Sequence, residues 1–213
     1  MERVRCAKAA TAAAGYFAAK GQRVLLLIDS LTRYAMALRE VGLALGEMPA
    51  TKGYPPSVFS NMPLLLEPVA ALNSGGSVTG FYTVLVEGDD LSDPIADSAR
   101  SLLDGHIVLS RELAMRGQFP AVDVLASTSR VATDVTEKRT QKLALSTRDW
   151  LARRSIAIDL LSLGAIDPED AEHGAAIKAG KSIDEWIRQG PQEAETYEDT
   201  LRKLTQAIGE ENK

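Results

Sequence analysis

The sequence predicts an α/β fold with a mainly parallel sheet, followed by a smaller helical domain. The segment 23–28 is almost continuously apolar, as is typical of strands that are buried on both faces. Segments rich in strand-forming residues then alternate with helical patterns up to about residue 132. Beyond that point only helical patterns remain. We therefore predict an α/β domain at 1–132 and a helical C-terminal domain at 133–213.

The α/β domain is predicted to alternate helices and strands. Ala-rich composition or apolar residues at helical spacing predict helices at 2–20, 32–45, 58–72, 93–103 and 111–116. Apolar runs or clusters of Val, Thr, Phe and Tyr predict strands at 23–28, 77–86, 106–109 and 122–125. Pro63 and Pro68 are expected to interrupt the third helix, since proline lacks the amide proton that helices need. Asp93 is expected to cap the fourth.

The helical domain is predicted to contain helices at 137–163, 168–179, 183–188 and 195–208. Near its second helix, a glycine pair followed by Lys181 and Ser182 superficially matches the phosphate-binding loop G-x-x-x-x-G-K-S. Five residues separate Gly174 from Gly180 instead of four, and no strand precedes them. Gly180 as a helix end, and Ser182 with Glu185 as a capping box, account for these residues. We therefore predict a helix junction here.

The composition excludes several classes of protein. With 45% hydrophobic and 25% charged residues, the chain is neither disordered nor collagen-like. Its net charge of −5 gives no global reason to bind nucleic acid, and no apolar stretch reaches the roughly 20 residues of a membrane span. Cys6, the lone cysteine, cannot form an internal disulfide, which favours a reducing compartment. We expect a cytoplasmic protein.

An ordered series of motifs points to chemistry. Asp29 ends the first apolar strand, where a carboxylate suits Mg²⁺, a hard cation that prefers oxygen and keeps several waters. An acid at this position can equally cap the next helix. The motifs, in order, are Asp29-Ser-Leu-Thr-Arg33, Gly53-Tyr-Pro-Pro-Ser-Val-Phe59, Glu87-Gly-Asp-Asp90, Leu103-Asp-Gly-His106-Ile-Val-Leu-Ser-Arg111 and Phe119-Pro-Ala-Val-Asp-Val-Leu-Ala-Ser-Thr-Ser-Arg130.

Together these motifs resemble the catalytic ATPase of type III protein export, especially its flagellar form, within the rotary family of hexameric ATPases that includes F-type ATP synthase. The resemblance runs from about residue 3 to about residue 190. It implies a partial RecA-like P-loop NTPase core, with ATP or ADP and Mg²⁺ as cofactors. It also implies a homohexamer that hydrolyses ATP at its subunit interfaces, releases chaperones and unfolds export substrates.

The resemblance assigns roles to four residues. Asp29 matches the Walker B acid, which positions Mg²⁺ through its water shell, and Arg33 matches an arginine near the catalytic carboxylate. Phe119 matches the aromatic residue that packs on adenine. Arg130 matches the arginine finger, which reaches the γ-phosphate bound to a neighbouring subunit. From the residues alone, Phe119 can be core packing, Arg130 a surface ion pair, and Arg33 the partner of Glu40.

Three acids, Asp89, Asp90 and Asp93, follow the second strand. The residues alone allow a solvated cluster or a divalent-ion site. The resemblance implies instead a loop that faces the central channel and contacts a coiled-coil stalk, and the segment 51–56 is expected to be another interior loop. Further implied partners are a regulator of the ATPase, export chaperones and substrates, and the membrane export gate, which would place the protein peripherally at the inner membrane.

The sequence departs from the family pattern in length and in one motif. Members are more than twice as long, and in them the phosphate-binding loop and the glutamate that polarises the attacking water precede the part matched here. We therefore expect that this chain alone neither binds ATP tightly nor hydrolyses it. Apolar surface around 24–28 is expected to cause association or poor solubility.

Two alternatives of different kinds remain. The chain can be a truncated, non-catalytic paralogue that acts as an interaction module. It can also be a subunit of an F- or V-type ATP synthase, or a hexameric RNA translocase. The motifs at 53–59 and 87–90 disfavour the synthase and the translocase, and the acidic charge further disfavours RNA.

Overall fold

The structure is a computed structural model that describes residues 1–73, 75–165 and 171–209. By contacts, the chain divides into two compact units, Met1–Leu103 and Asp104–Lys213. The boundary at 132/133, drawn from the change in sequence pattern, stays a prediction. A search of the described residues for a helix with the length and hydropathy of a membrane span finds none.

The first unit is built on two parallel strands. Its helices and strands are α1 (Glu2–Ala19), β1 (Arg23–Ile28), α2 (Leu31–Ala44), α3 (Pro56–Leu66), β2 (Ser77–Tyr82) and α4 (Pro94–Leu102). Two single-turn 3-10 helices, Thr51–Gly53 and Glu87–Asp89, lie in the connections. The register of the sheet pairs Arg23 with Ser77 and Ile28 with Tyr82. The order of elements agrees with the sequence prediction.

The sheet of the first unit is covered on one face. Leu26 and Val78 pack there against Ala14 and Ala18 of α1. A larger core lies between α2, α3 and α4, with Leu31, Val58, Met62, Leu65 and Ile95 fully buried. Side chains alternate along a strand, and Leu25, Leu27 and Phe81 on the opposite side are 61%, 67% and 54% exposed. Burial of β1 on both faces is therefore wrong for this structure, whereas the apolar surface expected around 24–28 is present.

Two boundaries in the first unit differ from prediction. Pro63 lies inside α3 without interrupting it, and the helix ends after Leu66, before Pro68. Strand β2 ends at Tyr82 instead of continuing to residue 86. The physical reason is that its partner β1 ends at Ile28, so the strand ladder stops for both strands together.

The second unit contains a two-stranded sheet and the C-terminal helices. Its elements are β3 (Gly105–Leu109), α5 (Arg111–Met115), β4 (Val122–Ser129), α6 (Ala132–Val135), α7 (Lys138–Ser162), α8 (Ala171–Ile187) and α9 (Tyr197–Ala207). Strands β3 and β4 pair antiparallel, with an irregularity between His106 and Val108. This antiparallel pair differs from the mainly parallel sheet expected from the sequence, and β1 with β2 is the parallel pair among the described residues.

The C-terminal helices share one core. Leu143, Ile183, Leu204 and Ile208 are buried in it. Trp150 and Trp186 are partly buried and pack against this cluster.

The predicted helix junction at Gly180 is wrong, because α8 runs without a break from Ala171 to Ile187. A Cβ added at Gly180 would lie 2.1 Å from Cδ of Arg154. Arg154 donates a hydrogen bond to the carbonyl of Gly180 at 3.0 Å and pairs with Asp184 at 2.6 Å. The absence of a side chain at Gly180 therefore leaves room for Arg154 of α7. This contact between helices cannot be predicted from the residues around Gly180. Part of the helix predicted from 168 lies outside the described residues.

Candidate functional site

The carboxyl end of β1 holds Asp29 in a defined position. Strand β1 ends at Ile28, and the hydroxyl of Ser30 accepts a hydrogen bond from the amide of Arg33 at 3.3 Å, which caps α2. Asp29 lies between the strand and this cap, with an exposed carboxylate. Its Oδ1 accepts a hydrogen bond from the hydroxyl of Thr83 at 2.6 Å. The capping role open to Asp29 thus belongs to Ser30.

Arg33 lies in the first turn of α2 with an exposed side chain. Within the described parts of the chain, no carboxylate forms an ion pair with it, so the pairing with Glu40 is not seen. A guanidinium without an ion-pair partner, one turn from Asp29, is available to an anionic ligand.

The surroundings of Asp29 fit a hydrated Mg²⁺. This ion is commonly held by one or two carboxylates and completes its shell with water and phosphate oxygens. Asp29 offers such a carboxylate, exposed at a strand end and with Oδ1 already engaged by Thr83. The described residues contain no group of three or more His, Cys, Asp or Glu that could hold a metal by themselves. A magnesium ion here would take its remaining ligands from water and phosphate oxygens.

The acidic segment after β2 is joined to the segment at 51–53. Lys52 donates a hydrogen bond to Asp90 at 3.1 Å, in an exposed ion pair. Asp93 caps α4 as predicted, because its Oδ1 accepts from the amides of Ile95 at 2.9 Å and Ala96 at 3.3 Å. We call residues 51–53 and 87–90 the paired loops.

Hydrogen bonds from Ser92 and Lys52 lower the pKa of Asp90 to about 2, from an ordinary value of 3.8. The same pair raises the pKa of Lys52 above 10.5. A lowered carboxyl pKa stabilises the pairing above pH 3.8, and this contribution is lost as the pH falls toward 2. A raised lysine pKa stabilises it below pH 10.5, and this contribution is lost at higher pH.

The paired loops are therefore expected to stay joined from about pH 4 to about pH 10. NMR titration of the Asp90 carboxyl carbon and the Lys52 ε-carbon measures this window. Ser92→Ala and Lys52→Met should each move the midpoint of Asp90 up toward its ordinary value. An unchanged midpoint in both variants would contradict the pairing.

Phe119 lies on an open cavity of about 530 Å³ in the second unit. It precedes β4 and is 56% exposed, so it is not a core residue. The amide of Gln189 donates to its carbonyl at 2.8 Å, which ties the segment after α8 to Phe119. The lining is completed by Gly117, Arg188, Gly190, Pro191 and Glu193. An exposed aromatic ring at a cavity of this size suits a flat heteroaromatic ligand.

Arg130 follows β4 directly, and its side chain is exposed. Its amide donates to the carbonyl of Asp104 at 2.7 Å, next to β3. Arg148 of α7 fixes the same strand, because its guanidinium donates to three carbonyls of β4, those of Val124, Leu125 and Ser127 at 2.7, 3.0 and 3.1 Å. The main chain that carries Arg130 is thus anchored by both β3 and α7.

The candidate residues divide between the two units. Asp29, Arg33 and the paired loops belong to Met1–Leu103, whereas Phe119 and Arg130 belong to Asp104–Lys213. Sequence reasoning missed Thr83 and Arg148. Thr83 could have been found by predicting the parallel register of β1 and β2, because this register places residue 83 beside residue 29. No sequence pattern distinguishes Arg148 from other helix arginines.

Family models match nearly the whole chain. Residues 1–129 match the ATP synthase alpha/beta family, nucleotide-binding domain. Residues 136–206 match the T3SS EscN ATPase C-terminal domain. The two matched segments therefore belong to one kind of ATPase.

The curated relatives are flagellum-specific ATP synthases and type 3 secretion system ATPases. The chain is 47% identical over 210 residues to the flagellum-specific ATP synthase of Bacillus subtilis, covering 98% of this chain and 48% of the relative. It is 49% identical over 201 residues to the type 3 secretion system ATPase of Sinorhizobium fredii, covering 94% and 44%. The chain thus spans about half the length of these relatives, and the identities do not separate flagellar from secretion forms.

Solved structures confirm the α/β nucleotide-binding fold expected from the sequence. The assembled ATPase EscN of the enteropathogenic E. coli type III secretion system matches with a TM-score of 0.86 and 43% identity, over 93% of this chain and 48% of EscN. EscN in complex with its central stalk EscO matches with a TM-score of 0.84 and 41% identity, over 97% and 49%. The chain belongs to the ATP synthase alpha/beta family and, within it, to the flagellar and type III secretion ATPases.

Proposed function

We propose that the chain is part of the ATPase that energises type III protein export, flagellar or secretory, and that it works as a homohexamer with ATP hydrolysed between subunits. The observation that carries this proposal is the exposed Asp29 carboxylate, held by Thr83 at the carboxyl end of β1. In open α/β sheets, ligands bind at the carboxyl ends of the strands. The match of residues 1–129 to a nucleotide-binding domain supports a nucleotide as this ligand.

The proposed roles follow from the exposure and chemistry of each residue. Asp29 holds Mg²⁺ through its water shell, and Arg33 places positive charge one turn away. Phe119 offers its exposed face to adenine. Arg130 serves as the arginine finger for a neighbouring subunit, since its planar fork binds phosphate oxygens in pairs. When bound, Mg²⁺ neutralises charge on the transferring phosphoryl group.

The proposed partners follow from the relatives and from the paired loops. EscN was solved with a central stalk, and we assign stalk contact in this chain to Asp89, Asp90 and Asp93. Asp90 is held by Lys52, and Asp93 also caps α4, so the acids stand on a fixed backbone. Export chaperones and substrates, a regulator and the export gate are the further partners, at the cytoplasmic face of the inner membrane.

The chain alone is expected not to hydrolyse MgATP. Backbone amides of a phosphate-binding loop are needed to cradle the phosphates, and the 213 residues contain no G-x-x-x-x-G-K-[ST] motif. We therefore compare the chain with a hybrid protein. In this hybrid, the N-terminal half of the Bacillus subtilis relative, with its phosphate-binding loop, is fused in front of the chain. Phosphate release should be detectable for the hybrid only. Turnover by the chain at the rate of the hybrid would contradict the expectation.

A second candidate function is a non-catalytic interaction module, favoured by the missing phosphate-loop motif. It predicts that the chain binds to preformed hexamers of the Bacillus subtilis relative, and that the hybrid assembles without hydrolysing ATP. A hexameric but inactive hybrid would therefore reject the catalytic proposal in favour of the module.

A further inference from the structure

We propose that Thr83 is a positioning residue for the magnesium site, because its hydroxyl fixes the orientation of the Asp29 carboxylate. This inference rests on the proposed role of Asp29. The hydroxyl of Thr83 donates to Oδ1 of Asp29 at 2.6 Å, across the end of the parallel strand pair. No other side-chain donor to Asp29 is recorded in the described part of the chain.

The backbone of Thr83 is fixed on both sides. Its amide donates to the carbonyl of Ile28 at 3.1 Å, which extends the β1–β2 ladder by one step. Its carbonyl accepts from the amide of Leu31 at 2.9 Å, at the start of α2. The hydroxyl is therefore held relative to both elements that flank Asp29.

Hydrogen bonds between Thr32 and Leu85 hold the segment after Thr83 at a second point. The hydroxyl of Thr32 accepts from the amide of Leu85 at 2.8 Å and donates to its carbonyl at 3.2 Å. The segment 83–85 is thus anchored along α2 although it lies outside β2. This anchoring lets a single hydroxyl hold a carboxylate in place.

A purely structural role explains the Thr83–Asp29 contact poorly. Both residues are exposed, so neither side chain would be left buried without a partner if the hydrogen bond were lost. The hydrogen bond from Thr83 instead affects how the Asp29 carboxylate can bind a ligand. The hydroxyl donates to one lone pair of Oδ1 and holds the plane of the carboxylate, so that Oδ2 keeps a fixed direction in which to accept hydrogen bonds from the water shell of Mg²⁺.

The test compares five variants of the hybrid, of which Thr83→Ala removes both the hydroxyl and the methyl group. Thr83→Val removes the hydroxyl and keeps the shape, and Thr83→Ser restores the hydroxyl. Thr79→Val makes the same change at an exposed threonine of β2. Asp29→Asn removes the carboxylate itself. Each variant is loaded with ADP, and binding of Mn²⁺, used in place of Mg²⁺, is followed by electron paramagnetic resonance. For each variant, the affinity for ADP in the absence of metal is measured as well, and so is the Tm.

Thr83→Val should weaken Mn²⁺ binding by about 10-fold, the lower end of the effect of outer-shell groups, because Asp29 itself acts through the water shell of the metal. Metal-free ADP affinity and Tm should stay unchanged. Thr83→Ser should restore Mn²⁺ affinity, and Thr79→Val should match the parent.

Normal Mn²⁺ affinity in Thr83→Val, with loss in Asp29→Asn, would overturn the inference and keep the role of Asp29. Normal affinity in both variants would overturn the role of Asp29 and the inference with it. A large drop in Tm for both Thr83→Val and Thr83→Ala would assign Thr83 to folding and also overturn the inference.

Discussion

Arg130→Ala should lower kcat for ATP hydrolysis by the hybrid hexamer about 10³- to 10⁵-fold, the range for loss of an arginine finger. The guanidinium would act on charge that develops in the transition state, so KM should change much less. Arg130 is exposed and follows a strand anchored by Asp104 and Arg148, so truncation of its side chain should leave the fold intact. Phosphate release measures the loss, and size-exclusion chromatography with light scattering measures assembly.

Two control variants sharpen the experiment on Arg130. Arg130→Lys keeps the charge but not the planar fork, and should remain well below the parent. Arg202→Ala removes an exposed arginine that pairs with Asp199, and should keep nearly full activity.

Mixed hexamers distinguish action across the subunit interface from action within one subunit. If Arg130 acts on the neighbouring subunit, mixing Arg130→Ala subunits with Asp29→Asn subunits, each inactive alone, should restore activity at those interfaces where an intact Asp29 meets an intact Arg130. No recovery in assembled mixed hexamers, or a kcat within tenfold of the parent for pure Arg130→Ala hexamers, would contradict the finger assignment.

Gly76→Ala should destabilise the first unit by about 3 kcal/mol, the upper part of the usual range for overpacking. A Cβ added at Gly76 would lie 1.9 Å from the carbonyl oxygen of Ala18 and 3.0 Å from that of Gln22. Both obstacles are backbone atoms, so no side-chain rotation can relieve the clash. Helix α1 would have to move away from the chain that leads into β2. Urea unfolding of the chain, followed by far-UV circular dichroism, measures the change.

Gly15→Ala is the matched control for this prediction. Gly15 lies inside α1, and an added Cβ would meet no atom within 4 Å. Alanine is favoured over glycine in helices, so stability should rise by about 1 kcal/mol. Equal effects of the two substitutions would show that the close approach at Gly76 does not constrain the fold.

The sequence predicted those features that local chemistry determines. The strand formed by the apolar run of β1 and the cap of α4 by Asp93 were both found as expected. In each case the signal lies within a few neighbouring residues. The candidate residues Asp29, Arg33, Phe119 and Arg130 came from motifs, and the structure places all four side chains at exposed positions. Their roles stay predictions.

Features that depend on distant partners could not be predicted. The antiparallel pairing of β4 depends on its contacts with β3, and the continuity of α8 depends on a side chain from α7. The contact between Thr83 and Asp29 joins residues 54 positions apart, and it becomes visible only when β1 and β2 are paired in register.

The contact of Arg148 with β4 has a mechanical consequence. Three carbonyls of the strand are tied to one guanidinium of α7, a helix of 25 residues and thus about 37 Å long. A rigid rod attached at one point acts as a lever arm. A tilt applied anywhere along this rod therefore displaces the strand, and with it the residue at its tip.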